Sequence, residues 1–334
     1  MKQFDNLVVL GNGTDWCEKS LSCLIKRQDV LFINEKMLVD GKVLNMLANI
    51  HYSRKLNKIV HLPFKSIWFN QFDHYINKRM NISEDSVVLI YDRNRFAYDE
   101  KFLHFLRIKY KGIKLAYIFT NIVKYTAAME LGYLHKLNDW YDVVYAFDPE
   151  DAKKYGFAYS PLIYDADPTY DKKSKESKEN IVFYVGQAKD RLSGLLSCFE
   201  KLKKLGIKTD FHIANVKEAD IKYANEITYN QFMTYDQCVD SIQRATCLID
   251  VIQGESTGLT IKTCEAVCYD KKLITTNKHV KEYPFYDSRY IRIVESPDDI
   301  DEEFFSRNRD VHYSQDGKNV FSATSFLEKI GKLR

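Results

Sequence analysis

Short apolar runs of four to seven residues recur along the chain, each followed by a longer stretch whose apolar residues fall three and four apart. That alternation predicts strands at 6–10, 29–33, 86–91, 114–119 and 141–146, with helices at 17–26, 43–53, 98–110 and 125–137. A second series predicts strands at 181–185, 210–214, 246–252, 272–276 and 290–293, with helices at 191–205, 235–243 and 259–269. Fully apolar strands alternating with amphipathic helices are the mark of mostly parallel sheets covered on both faces. Between the two series lies ADPTYDKKSKESKEN, beginning at Ala166, which has no periodicity and reads as a linker. The expected fold class is therefore α/β, with two domains facing a cleft. Their bounds are 1–165 and 178–315, and a last helical segment, 316–334, packs back on the first domain. The aromatic stretch at 60–80 leaves three readings open: a satellite of the core, a membrane-facing edge or part of an acceptor pocket.

Composition narrows the class. With 334 residues, 45% of them hydrophobic, 28% charged and 14% aromatic, the chain is long enough for two full cores and too apolar to be disordered. No run is long enough to cross a bilayer, and the start MKQFDNLVVLGNG lacks the pattern of a signal peptide, so a cytoplasmic protein is expected. A net charge of +3 says little, and no nucleic-acid module or basic stripe appears. Two segments, 101–114 and 200–208, combine lysines and arginines with apolar spacing. They read either as solvated helix faces or as a peripheral contact with an anionic membrane at its inner face. The seven cysteines fall mostly in apolar patterns and are odd in number, which predicts reduced thiols. Cys264 and Cys268 lack a second ligand pair at zinc-site spacing.

Four loops carry the candidate chemistry. The first is GLTIKTCEA at 258–266, after the apolar run TCLIDVI. If Ser256 or Thr257 caps the helix, the amides of Gly258, Leu259 and Thr260 face an incoming anion, and Gly258 lets a ligand approach the backbone. Lys262 and Glu265, three apart, share a helix face; the lysine suits a diphosphate and the glutamate a ribose diol, or else the two form an ordinary surface pair. The second loop, FYVGQAKDRLSG, ends a strand at Val185 and turns at Gly186, placing Lys189 and Arg191 as cations for a phosphate. In the third, VLGNGTDWC, Gly11 and Gly13 make a turn before Asp15, a general base or a helix cap. The fourth, LIYDRNRFAYD, brings Asp92, Arg93 and Arg95 to a strand end. Neither domain opens with a complete dinucleotide fingerprint, which disfavours a dehydrogenase.

The segments CLIDVIQGESTGLTIKTCEAVCYDKKLITTN (247–277) and VVYAFDPEDAKKYGFAYSPLIY (143–164) resemble bacterial cell-surface polysaccharide and lipopolysaccharide glycosyltransferases of the twin-Rossmann, GT-B type. The resemblance implies two Rossmann-like domains and transfer of a sugar from a nucleotide-sugar donor to a glycan or lipid-linked glycan acceptor. No further cofactor and no metal are implied. It places Glu265 on the donor ribose, Lys262 by the diphosphate together with Thr257, Gly258, Leu259 and Thr260, and Gly186, Lys189 and Arg191 in the other phosphate loop; Asn277 closes the following strand. Asp15, and after it Asp92, is the expected base toward the acceptor. The common spacing of seven residues between two glutamates is absent, since nine separate Glu255 from Glu265, so Glu255 is not assigned to the sugar. The DAD at 165–167 lies beside the linker and is read as a chance match to a metal-binding motif. The same donor site would also serve a nucleotide-sugar epimerase or hydrolase, or a non-catalytic partner that binds nucleotide-sugars within a polysaccharide assembly.

Overall fold

The run LVVL becomes strand β1, Leu7–Leu10, buried at all four positions and paired in parallel on both sides. In the computed structural model, which describes residues 4–34, 41–60, 62–166, 177, 179–254, 256–307 and 309–332, the chain divides into two compact units. The first comprises Met1–Ser160 and Phe326–Arg334, the second Pro161–Ser325. The first boundary lies at Ser160, five residues ahead of the expected position, for a visible reason. Ser160 still bonds through its amide to the carbonyl of Ala146, whereas Tyr164 donates its amide to Phe321 and packs its ring on Tyr269, all within the second unit. Most of the expected linker lies outside the described residues.

The first unit contains β1, β2 (Val30–Ile33), β3 (Val87–Tyr91), β4 (Lys114–Ile118), β5 (Val143–Ala146) and β6 (Ala158–Tyr159), ordered β2-β1-β3-β4-β5-β6. The second contains β7 (Ile181–Gln187), β8 (Lys208–Ala214), β9 (Thr228–Tyr229), β10 (Cys247–Asp250), β11 (Lys272–Thr275) and β12 (Ile291–Ile293), ordered β12-β11-β10-β7-β8-β9. All the strand pairings described are parallel. Each sheet reverses its strand order once, between β1 and β3 in the first unit and between β7 and β10 in the second. In open α/β sheets ligands collect at the carboxyl ends of the strands beside such a reversal.

The helices depart from expectation where local chemistry overrides periodicity. The run expected at 17–26 breaks at Leu21 into Asp15–Ser20 and Ser22–Ile25. The helix expected at 125–137 is four short turns, because Gly132 takes φ +71° and ends it. The pattern missed Pro149–Tyr155, although its signals are strong: Asp148 accepts from the amides of Glu150 and Asp151, Pro149 opens the first turn, and Gly156 at φ +69° closes the last. The ambiguous stretch at 60–80 largely resolves as the helix Ile67–Asn77, whose Trp68, Phe69, Phe72, Tyr75 and Ile76 are buried in the first core. The 101–114 and 200–208 segments also bury their apolar faces at home, through Phe102, Leu103 and Leu106 in the first unit and Leu202 in the second. Two-residue edge strands, β6 and β9, were too short to register in the pattern. None of the seven cysteines forms a disulfide among the described residues, and Cys23 is exposed. Among the described residues no helix is long and apolar enough to cross a membrane.

Asp165, the first carboxylate of the DAD, accepts from the amide of Ala323 through one oxygen, while the other is buried with no hydrogen-bond partner among the described residues. Asp167 lies outside the described residues. Burial raises the pKa of Asp165 above the ordinary carboxylate value, and the Ala323 amide offsets part of the rise. A raised folded pKa means that the native state holds its proton more tightly, so this contribution to stability is present at low pH and is lost as pH climbs through the raised value. Asp165→Asn is therefore expected to flatten that part of the profile and to raise the melting temperature relative to wild type above it. Thermal unfolding of both proteins from acid to neutral pH measures this, and parallel profiles would show that Asp165 is not strained.

Candidate donor-phosphate site

At the reversal in the second unit, the chain leaves β7 toward β8 and later returns on the other flank as β10. The two loops that follow β7 and β10 are tied together by the cations singled out in the sequence. Arg191 donates from Nη1 to the carbonyl of Val251 at 2.9 Å and from Nη2 to that of Gln187 at 2.8 Å, and its buried Nε has no partner among the described residues. Lys189, at φ +45°, bonds through Nζ to Oε1 of Gln253. Gly186 does not make the turn. It sits inside β7, paired with Ile213, and a Cβ there would meet the hydroxyl of buried Tyr184 at 2.7 Å. The turn comes two residues later, where Arg191 donates its amide to Ala188.

These contacts assign the two cations different work. Arg191→Ala would leave the Gln187 and Val251 carbonyls without their donor and is expected to cost about 1–3 kcal/mol of stability. Lys189→Ala is expected to leave stability within about 0.5 kcal/mol of wild type. Urea denaturation of both variants checks the contrast, and equal losses would contradict it.

The second loop begins from Asp250, which ends β10 with its carboxylate fully buried. Its Oδ2 accepts from the hydroxyl of Thr260 at 2.8 Å and of Thr263 at 3.3 Å, fixing the start of the helix Ile261–Cys268 to the strand that precedes it. Burial raises the Asp250 pKa, and the two threonine hydroxyls and nearby Arg191 work against that rise. Thr260 is the N-cap, accepting from the amide of Thr263, so neither Ser256 nor Thr257 caps this helix. The reason lies in Asn277. Its Nδ2 reaches the carbonyls of Thr257 at 3.4 Å and Gly258 at 3.0 Å, tying the loop to the strand end beyond β11 before the helix begins. The first-turn amides therefore start at Ile261, three residues later than expected. Leu259 is fully buried, so its side chain belongs to the core and cannot touch a ligand. Glu255 lies outside the described residues.

Lys262 and Glu265 do share a face, but not a solvent face. Nζ of Lys262 lies 2.5 Å from Oε2 of Glu265, the side chains being 9% and 1% exposed. The ammonium also stands 5.8 Å from the centre of the Phe183 ring. Oε1 of Glu265 accepts from the Tyr235 hydroxyl at 3.2 Å, which in turn is 2.7 Å from the hydroxyl of Tyr164. Burial first, and then the Glu265 charge, push Tyr235 well above the usual phenol range, so it stays a protonated donor; burial does the same for Tyr164. The surface-pair alternative is thus corrected to a buried ion pair. Glu265 and Lys262 are thus in direct contact with each other, although the lysine suits a diphosphate and the glutamate a ribose.

Sequence reasoning missed Asp250, Tyr235 and Tyr164. Asp250 left a signal, a lone carboxylate closing the apolar strand CLID. The tyrosines left none, because they come from distant segments and meet Glu265 only through the fold.

The reversal in the first unit has a similar build. A Cβ at Gly11 would stand 2.6 Å from the Phe32 ring, so a larger residue there requires that ring to move, and the Gly11 carbonyl accepts from Asn94 Nδ2 at 2.7 Å across the gap between β1 and β3. Asn12 Oδ1 receives both the amide and the hydroxyl of Thr14, the N-cap residue. Asp15 is therefore the first helical residue, not the cap, and its side chain is exposed. Asp92 is buried, with Oδ1 receiving both the amide and the hydroxyl of Thr120. Arg93 is exposed at φ +69°, and Arg95 donates to Asn49 at 2.5 Å.

No family model matches the chain, and no curated protein matches it. Among solved structures it is similar to TarM, with 14% identity and a TM-score of 0.49 over 80% of this chain and 58% of that one. It is similar to apo OtsA at 12% identity and a TM-score of 0.48, over 98% and 99% of the two chains. A third similarity is to an E. coli trehalose-6-phosphate structure bound with UDP-2-fluoro glucose, at 11% identity and a TM-score of 0.42 over 98% and 96%. This chain thus spans little more than half of the TarM chain, and the functional reading rests on its own side chains.

Proposed function

We propose that the protein is a glycosyltransferase that moves a sugar from a nucleotide-sugar donor to a glycan or lipid-linked glycan acceptor, in surface polysaccharide or lipopolysaccharide synthesis. The observation that carries this reading is the meeting, at one sheet reversal, of a cation-bearing loop after β7 with a helix start that holds a buried Lys262–Glu265 pair. Cations and first-turn amides suit a diphosphate, and a carboxylate beside them suits a ribose diol. Because Lys262 and Tyr235 cover Glu265, donor binding involves an exchange of partners: the ammonium turns to the diphosphate and the freed carboxylate accepts from the ribose hydroxyls.

In the transfer itself the acceptor oxygen bonds to the anomeric carbon as the bond from that carbon to the diphosphate oxygen breaks. The acceptor proton passes to Asp15. The departing nucleoside diphosphate keeps the bonding pair, and Lys189, Lys262 and the amides from Ile261 onward stabilise its growing charge without requiring a metal. The test is to incubate the protein with a panel of nucleotide-sugars and glycan acceptors, then to identify any new linkage. A glycosidic product supports transfer. Release of free sugar alone would place the activity with hydrolases, and interconversion of the donor sugar with epimerases. Donor binding with no turnover at all would favour the non-catalytic reading.

A further inference from the structure

Of the fifteen large hydrophobic side chains exposed among the described residues, ten fall between Val43 and Ile67 in the first unit. They include Val43 at 67%, Ile59 at 84% and Phe64 at 78% exposure. The helices Lys42–His51 and Arg54–Ile59 and the loop that follows form one surface. Asn57 Nδ2 bonds to the carbonyl of His51, and His51 accepts at Nδ1 from Trp68 and donates from Nε2 to the carbonyl of Pro63. Phe64 has φ +62°, a region an aromatic residue rarely enters, and there it presents its ring to solvent. The helix Ile67–Asn77 beneath buries Trp68, Phe69 and Phe72 in the core, so the face is an outward layer on a packed base.

Charge identifies what covers it. From residue 41 through 72 the sequence has five lysines and arginines, Lys42, Arg54, Lys55, Lys58 and Lys65, and no aspartate or glutamate. Aliphatic side chains within a purely cationic segment fit an anionic lipid surface, which takes up the apolar groups below its headgroups and attracts the cations. A second copy of the same face would bring like charges together. We infer that this face docks the first unit on an anionic membrane. It takes the place of the 101–114 and 200–208 segments, whose apolar sides are occupied in their own cores. The face is continuous with the β1–β3 end of the sheet, since Asn49 of its first helix receives Arg95 and Tyr52 packs edge-on against Phe96. The inference stands independently of the donor site.

The test is co-sedimentation of the full chain with vesicles of about one-third phosphatidylglycerol in phosphatidylcholine, and with phosphatidylcholine alone. Wild type is expected to pellet with the anionic vesicles and to be released as salt rises. Ile59→Asp/Phe64→Asp should lose binding by about ten-fold or more, Lys42→Glu should weaken it, and Ile108→Asp, at an exposed position on a different helix, should bind as wild type. An unchanged thermal transition in each variant confirms folding at these exposed positions. Wild type left in the supernatant, or undiminished binding by the double variant, overturns the inference. So does a wild-type dimer that the double variant converts to monomer, because the face would then belong to a second copy.

Discussion

Glu265→Gln is expected to destabilise the second unit by about 3–5 kcal/mol, far more than loss of a helix surface pair. The reason is what the substitution leaves behind: an ammonium 9% exposed that has lost its directly paired carboxylate and keeps the Phe183 ring and the more distant charge of Asp250. Lys262→Met in the same background removes that stranded charge, so the double variant should recover most of the loss. The non-additivity is the signature of the pair. Urea denaturation of wild type, both single variants and the double variant gives the cycle. A Glu265→Gln protein within about 1 kcal/mol of wild type would mean that Lys262 reaches water without cost, as in an exposed pair.

Asp15→Asn is expected to slow sugar transfer by about two to four orders of magnitude, the usual worth of acid–base assistance. Asp15 is exposed at the first residue of its helix, after Thr14 in the N-cap position, so stability should change little. Asp92 is differently placed, since it is buried and holds Thr120 through two hydrogen bonds. Asp92→Asn should therefore lower stability along with activity. Steady-state turnover beside thermal unfolding separates the two residues. Near-normal turnover by a folded Asp15→Asn protein would remove Asp15 from the role and bring Asp92 forward.

The sheets were legible because their strands are buried on both sides and therefore apolar without interruption, as in LVVL and VVLIY. Periodicity failed where a single cap or glycine decides the outcome, as at Leu21, Gly132 and the Asp148-Pro149 helix start. At the candidate site, spacing correctly put Lys262 and Glu265 on one face, since three residues nearly complete a turn. It could not show that the face is buried, because that depends on Tyr235, thirty residues earlier, and on Phe183 in another strand. The same limit explains the misplaced cap. Thr260 and Thr257 look equivalent in sequence, and only Asp250 and Asn277, brought in by neighbouring strands, distinguish them.

The central claim, that Glu265 holds the donor ribose and Lys262 its diphosphate, is tested most directly by calorimetric titration of wild type and Glu265→Gln with ribonucleoside diphosphates and with pyrophosphate, at a temperature where both are folded. Wild type should bind at least one nucleoside diphosphate. Glu265→Gln should bind it about ten-fold or more weakly, a loss of about 1.4 kcal/mol. Its affinity for pyrophosphate should be equal or higher, because Lys262 no longer has to leave a carboxylate to reach the phosphates. Wild-type affinity for both ligands in the variant, or no nucleoside diphosphate binding by wild type, would contradict the account.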